Sequence, residues 1–124
     1  MSLLLDTHVA LWGLAAAPEL GADLLERLRH DPDIFVSPVT LWEITIKQSA
    51  GKLGGPPDLA ERVRDMGFRH LPITNDHAIE AGRLPVHHRD PFDRMLIAQA
   101  RFEGLTLATR DADIRRYDVP VLDV

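Results

Sequence analysis

Leu3-Leu4-Leu5-Asp6-Thr7 sets three consecutive apolar residues directly against a helix-capping pair. An apolar run without alternation reads as a strand buried on both faces, and Val9, Leu11, Trp12 and Leu14 follow it at roughly helical spacing. The same junction recurs downstream. Ile34-Phe35-Val36 leads into Ser37-Pro38, a capping serine followed by a proline whose missing N–H suits a first helical turn, and the helix runs through Leu41, Trp42, Ile44 and Ile46 to Gly51. Leu105-Thr106-Leu107-Ala108-Thr109 and Val119 to Leu122 predict further strands, with Phe68 to Ile73 another candidate. Helices are predicted from Ala22 to Arg29, around Leu59, Val63 and Met66, after the Thr74 cap, and from Asp90-Pro91-Phe92-Asp93 to Gly104. Short apolar strands separated by helices require a parallel sheet covered on both sides. The expected fold class is α/β: a three-layer α/β/α domain with a short parallel central sheet, residues 1–124 forming one unit.

Composition sets the outer bounds. A chain of 124 residues should bury roughly two-thirds of its unfolded surface. It has no cysteine, which excludes disulfides and thiolate metal sites and suits a reducing compartment. No apolar run approaches the roughly 20 residues of a membrane span, and Met1-Ser2-Leu3-Leu4-Leu5-Asp6 lacks the basic region of a signal peptide, so a cytoplasmic location is expected. The 14 Lys+Arg against 19 Asp+Glu give a formal charge of −5, which argues against a polyanionic partner unless some of those acids face a metal.

The acids fall where that exception applies. In an open parallel sheet, ligands bind beyond the carboxyl ends of the strands. Asp6 ends the first strand, Asp111 follows the strand over Thr106–Ala108, Glu43 lies two turns into a helix that starts at the same edge, and Asp93 occupies the first turn of another helix. Each has an ordinary structural reading: Asp6 as a cap, Glu43 paired with Lys47, Asp93 as a first-turn acid, Asp111 as a turn residue. Jointly, four carboxylates at one rim would repel one another, and a divalent cation resolves the repulsion; oxygen-only donors favour Mg²⁺ or Mn²⁺.

These stretches resemble the PIN domain, and more closely its VapC branch, the ribonuclease toxins of bacterial toxin–antitoxin operons. The resemblance is carried by Leu3-Leu4-Leu5-Asp6-Thr7-His8, Ser37-Pro38-Val39-Thr40-Leu41-Trp42-Glu43-Ile44, Asp90-Pro91-Phe92-Asp93-Arg94-Met95-Leu96-Ile97-Ala98-Gln99-Ala100 and Leu107-Ala108-Thr109-Arg110-Asp111. It implies a Mg²⁺- or Mn²⁺-dependent endoribonuclease, a homodimer, and a cognate VapB-type antitoxin whose C-terminal segment occupies the active-site groove. It also implies that Asp6, Glu43, Asp93 and Asp111 are the catalytic metal ligands, Asp6 and Asp93 the most direct, with Thr109 orienting a neighbouring carboxylate.

The remaining residues divide more evenly. Thr7, Thr109, Arg94 and Arg110 flank the acids and are candidates to contact RNA, while an ion-paired or solvated arginine is the competing reading for the latter two. Trp12 and Trp42, at apolar helical positions, are read as core. His8, His87 and His88 receive no catalytic role, loop solvation or substrate contact being expected of the adjacent pair, and Asp113 is placed at the periphery. A phosphorylatable receiver domain is excluded: Asp6 is single, Val36 leads into Ser37, and no lysine follows Lys52. The alternative kept beside the nuclease is a catalytically silent PIN-fold module acting through protein contacts.

Overall fold

A computed structural model describes all of residues 1–124. Five strands, β1 (Leu3–Leu5), β2 (Ile34–Val36), β3 (Arg69–His70), β4 (Thr106–Thr109) and β5 (Val121–Asp123), form one sheet in the order β3-β2-β1-β4-β5, and every pairing is parallel. Six α-helices connect and cover them: α1 (Thr7–Leu14), α2 (Ala22–His30), α3 (Pro38–Ser49), α4 (Leu59–Arg64), α5 (Asn75–Arg83) and α6 (Pro91–Glu103). This is the expected three-layer α/β/α architecture. None of the helices is long and apolar enough to cross a membrane.

The first strand made is the middle of the sheet. Leu3 pairs with Ile34 on one side and Thr106 on the other, and Leu3, Leu4 and Leu5 have no exposed surface. The pleat sends alternate side chains to opposite faces. Leu3 and Leu5 pack with Val9, Leu24 and Val63, while Leu4 packs with Leu96, Ile97 and Ile114. Fully burying a leucine is worth about 1.5–3 kcal/mol, so both faces reward the unalternating run. Helix α5 packs on α6, and α3 touches both α4 and α6.

From β1 the chain moves outward to β2 and β3, then returns to build β4 and β5 on the other side, so the strand order reverses between β1 and β4. That reversal leaves a crevice at the carboxyl ends of those two strands. It is the feature that positions the site.

The edges depart from the sequence reading. The segment from Phe68 to Ile73 contributes only Arg69 and His70 as strand; Leu71 N–H still reaches the Val36 carbonyl, but Pro72 has no N–H to extend the ladder. Both strand residues are exposed and polar, which discourages further edge pairing. The last strand begins at Val121 rather than Val119, just after Pro120. Pro18–Leu20 and Ile114–Arg116 form 3-10 turns, the second burying Ile114.

Candidate active site

Asp6 leaves β1 in extended backbone (φ −73°, ψ 169°) and caps α1, its Oδ1 accepting the Val9 N–H at 2.7 Å. Its Oδ2 accepts the Thr109 hydroxyl at 2.5 Å, and the Thr109 oxygen in turn accepts the Asp111 N–H at 3.0 Å. The two readings of Asp6 thus coexist: it caps a helix and faces the crevice. One buried hydroxyl fastens the end of β1 to the loop after β4. Burial pushes the Asp6 carboxyl above its ordinary range, and the neighbouring Glu43 adds to the rise. The Thr109 hydroxyl and the Val9 amide oppose it.

Glu43 sits on the second turn of α3 with 4% of its surface exposed. Its Oε1 accepts the Thr7 hydroxyl at 2.6 Å and its Oε2 meets Lys47 Nζ at 2.5 Å. Pairing with Lys47 and facing the crevice are again compatible, because the glutamate has two oxygens. The hydrogen bond to Glu43 raises the Lys47 pKa against the effect of burial, helped by the charges of Asp90 and Asp93.

The third wall is the start of α6. Asp90 caps it, Oδ1 accepting the Phe92 N–H at 2.9 Å, and Pro91 occupies the first turn. Asp93 follows within that turn, its carboxyl pushed up to about 7, chiefly by burial and then by the charge of Asp90; Glu43 and Asp6 add to the rise and His88 opposes it. His88 Nε2 lies 3.0 Å from Asp93 Oδ2 and 2.9 Å from Asp111 Oδ2. Burial lowers the His88 pKa, yet these carboxylates outweigh it and the net shift is upward. Asp111 Oδ1 accepts the Asp113 N–H at 2.9 Å, so Asp113 joins the acid loop through its backbone.

Asp6, Glu43, Asp90, Asp93 and Asp111 line one cleft of about 490 Å³. His88, Asp111 and Asp113 bring ligand-capable atoms within 4.8 Å of one another. The donor chemistry suits a hard divalent ion: the acids offer only oxygen, and an aspartate driven toward neutrality by burial and by other carboxylates marks a site short of positive charge. The cleft also holds His8, Lys47, Lys52 and Arg110, so cationic side chains border the acids.

Several expected contacts fall elsewhere. Arg94, a candidate for RNA, points away from the cleft and donates to the carbonyls of Ala81, Leu84, Pro85 and His88 at 2.9–3.3 Å, which makes it a brace for the loop before α6. Arg110 is half engaged: it donates to the Val124 and Glu19 carbonyls and stacks 4.3 Å above the Trp12 ring, but still borders the cleft. Thr7 turns its hydroxyl to Glu43 and comes within 3.2 Å of the Thr40 hydroxyl. Trp42 is not core: it is 60% exposed and meets Phe92 edge-on at 5.3 Å. The sequence predicts loop solvation or substrate contact for His88 and no catalytic role, whereas the structure seats it between two of the acids. Its spacing, two residues before the cap Asp90, is the one signal available, since its Nδ1 accepts the Asp90 N–H at 3.2 Å.

Comparison with known proteins identifies the family and the fold. The PIN domain family model matches residues 3–120. The chain is 30% identical over 127 residues to Ribonuclease VapC22 of Mycobacterium tuberculosis, covering 96% of this chain and 94% of that one. Among solved structures, VapBC2 of Rickettsia felis bound to a promoter DNA fragment superposes with a TM-score of 0.75 at 16% identity, covering 99% and 98% of the two chains. VapC20 of Mycobacterium tuberculosis, a toxin that cleaves the sarcin–ricin loop, gives 0.68 at 20% identity, over 99% and 98%. At these identities the structures attest the fold.

Proposed function

The chain belongs to the PIN domain family, and from that premise we propose that it is a divalent-metal-dependent endoribonuclease, the toxin of a VapBC-type pair. The observation that carries the proposal is the convergence of Asp6, Glu43, Asp93 and Asp111, from four separate segments, on one cleft where Asp93 is held near neutrality by burial and by the other acids. The relative named as a ribonuclease supports the same substrate class.

On this reading Asp6, Glu43, Asp93 and Asp111 hold Mg²⁺ or Mn²⁺. Such an ion lowers the pKa of a water and offsets the charge that gathers on a phosphodiester under attack. The chain's own residues supply the rest. Thr109 and the Val9 N–H fix the Asp6 oxygens, and Thr7 and Lys47 fix those of Glu43, so these carboxylates are held before any ligand arrives. Lys52 and Arg110 border the cleft and are placed to meet backbone phosphates of an RNA strand. A cytoplasmic location, a homodimer and a VapB-type antitoxin covering the cleft complete the proposal. The intact acid set favours the enzyme over a silent binding module.

The test is cleavage of an RNA panel by the purified protein with Mg²⁺ or Mn²⁺, with EDTA, and by Asp6→Asn and Asp93→Asn. Cleavage should vanish in EDTA and fall in both variants by more than the ~10–100-fold that losing an outer partner of a metal site costs. Cleavage that survives EDTA, or is indifferent to both substitutions, refutes the assignment.

A further inference from the structure

Both ring nitrogens of His88 are committed. Nδ1 faces the backbone N–H of Asp90 at 3.2 Å, a donor, so in the neutral ring Nδ1 presents its lone pair there and Nε2 carries the proton. Nε2 then points that proton at Asp111 Oδ2, 2.9 Å away, with Asp93 Oδ2 at 3.0 Å from the same nitrogen. A second proton on the ring would sit on Nδ1 and leave Nε2–H in place. A metal ligand needs the opposite: a free lone pair on the nitrogen that faces the acids.

The loop that carries His88 is braced from two sides. Tyr117, 5% exposed, donates its hydroxyl to the Pro85 carbonyl at 2.7 Å and accepts the N–H groups of His87 at 3.1 Å and His88 at 2.8 Å. Arg94 grips the Pro85 and His88 carbonyls at 3.0 and 3.3 Å. These anchors aim the one N–H at Asp111, from the loop after β4, while Asp93, from the first turn of α6, meets the same nitrogen as a charged neighbour and not as the acceptor.

We propose that His88 is a positioning residue, which holds Asp111 in place beside Asp93 through a fixed Nε2–H donated to Asp111, and that it is not itself a ligand of the cation those acids hold. The inference rests on the metal-binding reading of the cleft. It opposes the other arrangement these side chains suggest, a nitrogen-and-oxygen site built from His88, Asp111 and Asp113. The difference is chemical: an imidazole ligand would draw in Zn²⁺ or Ni²⁺, whereas a clamp leaves an all-oxygen set for Mg²⁺ or Mn²⁺.

The experiment is a calorimetric titration of Mg²⁺ and of Zn²⁺ into the wild type, His88→Gln and His88→Ala, with proton–nitrogen correlation spectra of the His88 ring before and after Mg²⁺ saturation. A glutamine amide can stand where Nε2–H stands but is a poor substitute for an imidazole ligand. Expected is Mg²⁺ affinity within about 3-fold of wild type for His88→Gln and a loss of ~10–100-fold for His88→Ala, the range for outer partners of metal sites. The ring should keep its Nε2 proton throughout. The proposal is overturned if His88→Gln is as weak as His88→Ala, if His88→Ala binds like wild type, or if Mg²⁺ strips the Nε2 proton. Should wild type take up no cation, the metal reading of the cleft fails separately. The metal-free ring then decides the clamp: an Nε2–H resonance that moves in Asp111→Asn supports it, and a ring protonated on Nδ1 alone refutes it. The spectra and His88→Gln keep the test alive if His88→Ala does not fold.

Discussion

Replacing Asp93 with asparagine should make the metal-free protein more stable. The folded carboxyl has a pKa of about 7 against an ordinary 3.8, so the native state holds this proton where the unfolded chain has released it. Stability from this group is therefore fully present below about pH 4 and falls as pH rises toward 7. At ~1.36 kcal/mol per unit, the penalty above pH 7 amounts to about 4 kcal/mol. Asparagine returns only part of it, because His88 loses a charged neighbour at 3.0 Å; a net gain of roughly 1–3 kcal/mol is the expectation. For a chain of this length 1 kcal/mol moves the midpoint by about 4 °C, so Asp93→Asn should melt roughly 4–12 °C above wild type in EDTA near pH 8. Near pH 4, where the unfolded carboxyl is taking up its proton as well, the gain should shrink toward zero. Adding Mg²⁺ at ~100 times its Kd should then raise wild type by about 2.7 kcal/mol and the variant by much less. Thermal denaturation followed by circular dichroism at both pH values, with EDTA and then with metal, reads all of this. A variant that melts below wild type in EDTA near pH 8, beside a wild type indifferent to millimolar Mg²⁺ and Mn²⁺, would refute the reasoning and return Asp93 to the role of a first-turn helix acid.

Other outcomes follow from the same contacts. Thr109→Val removes the donor on Asp6 Oδ2 and the acceptor for the Asp111 N–H, and should lower chemical-denaturation stability by about 1–3 kcal/mol, with Thr109→Ser largely restoring it. Arg94→Lys cannot reach four carbonyls at once, so it should destabilise by about 1–3 kcal/mol and leave the salt dependence of RNA binding unchanged; a slope reduced by ~1 would place Arg94 on a phosphate after all. Ala16 is the one non-glycine residue with positive φ (51°) and is exposed, so Ala16→Gly should be neutral to about 1 kcal/mol stabilising, and a clear loss of stability would show that its methyl group packs.

Much of the site was legible because topology alone delivers it. Asp6 and Asp111 follow strands that flank the reversal of the sheet, and any residue there reaches the crevice. Asp93 was legible because Asp90-Pro91 fixes where its helix begins. Side-chain direction within a helix was harder to read. Arg94 stands next to Asp93, yet one residue turns a helix by about 100°, and that turn carries its guanidinium to the loop instead of the cleft. The same rotation takes Trp42 away from buried Glu43 and sets it beside exposed Ile46, one turn on. His88 lies in a loop whose shape is dictated by Tyr117, 29 residues later, and no local pattern encodes that contact. The strand at 69–70 was overestimated because apolar content does not show where a proline ends a ladder.

The bond between Asp6 and Thr109 joins residues 103 positions apart, and this has a consequence for the time course of biosynthesis. The centre of the sheet is the first strand to leave the ribosome, and at ~5–20 residues per second it waits about 5–20 s for β4 to fill its open side. During that interval Asp6 has no hydroxyl to hold it, and Asp93 and Asp111 have yet to emerge or dock. Any chain abandoned before Thr109 carries most of this domain and none of the completed cleft. The order of synthesis thus makes the cleft one of the last parts of this domain to exist.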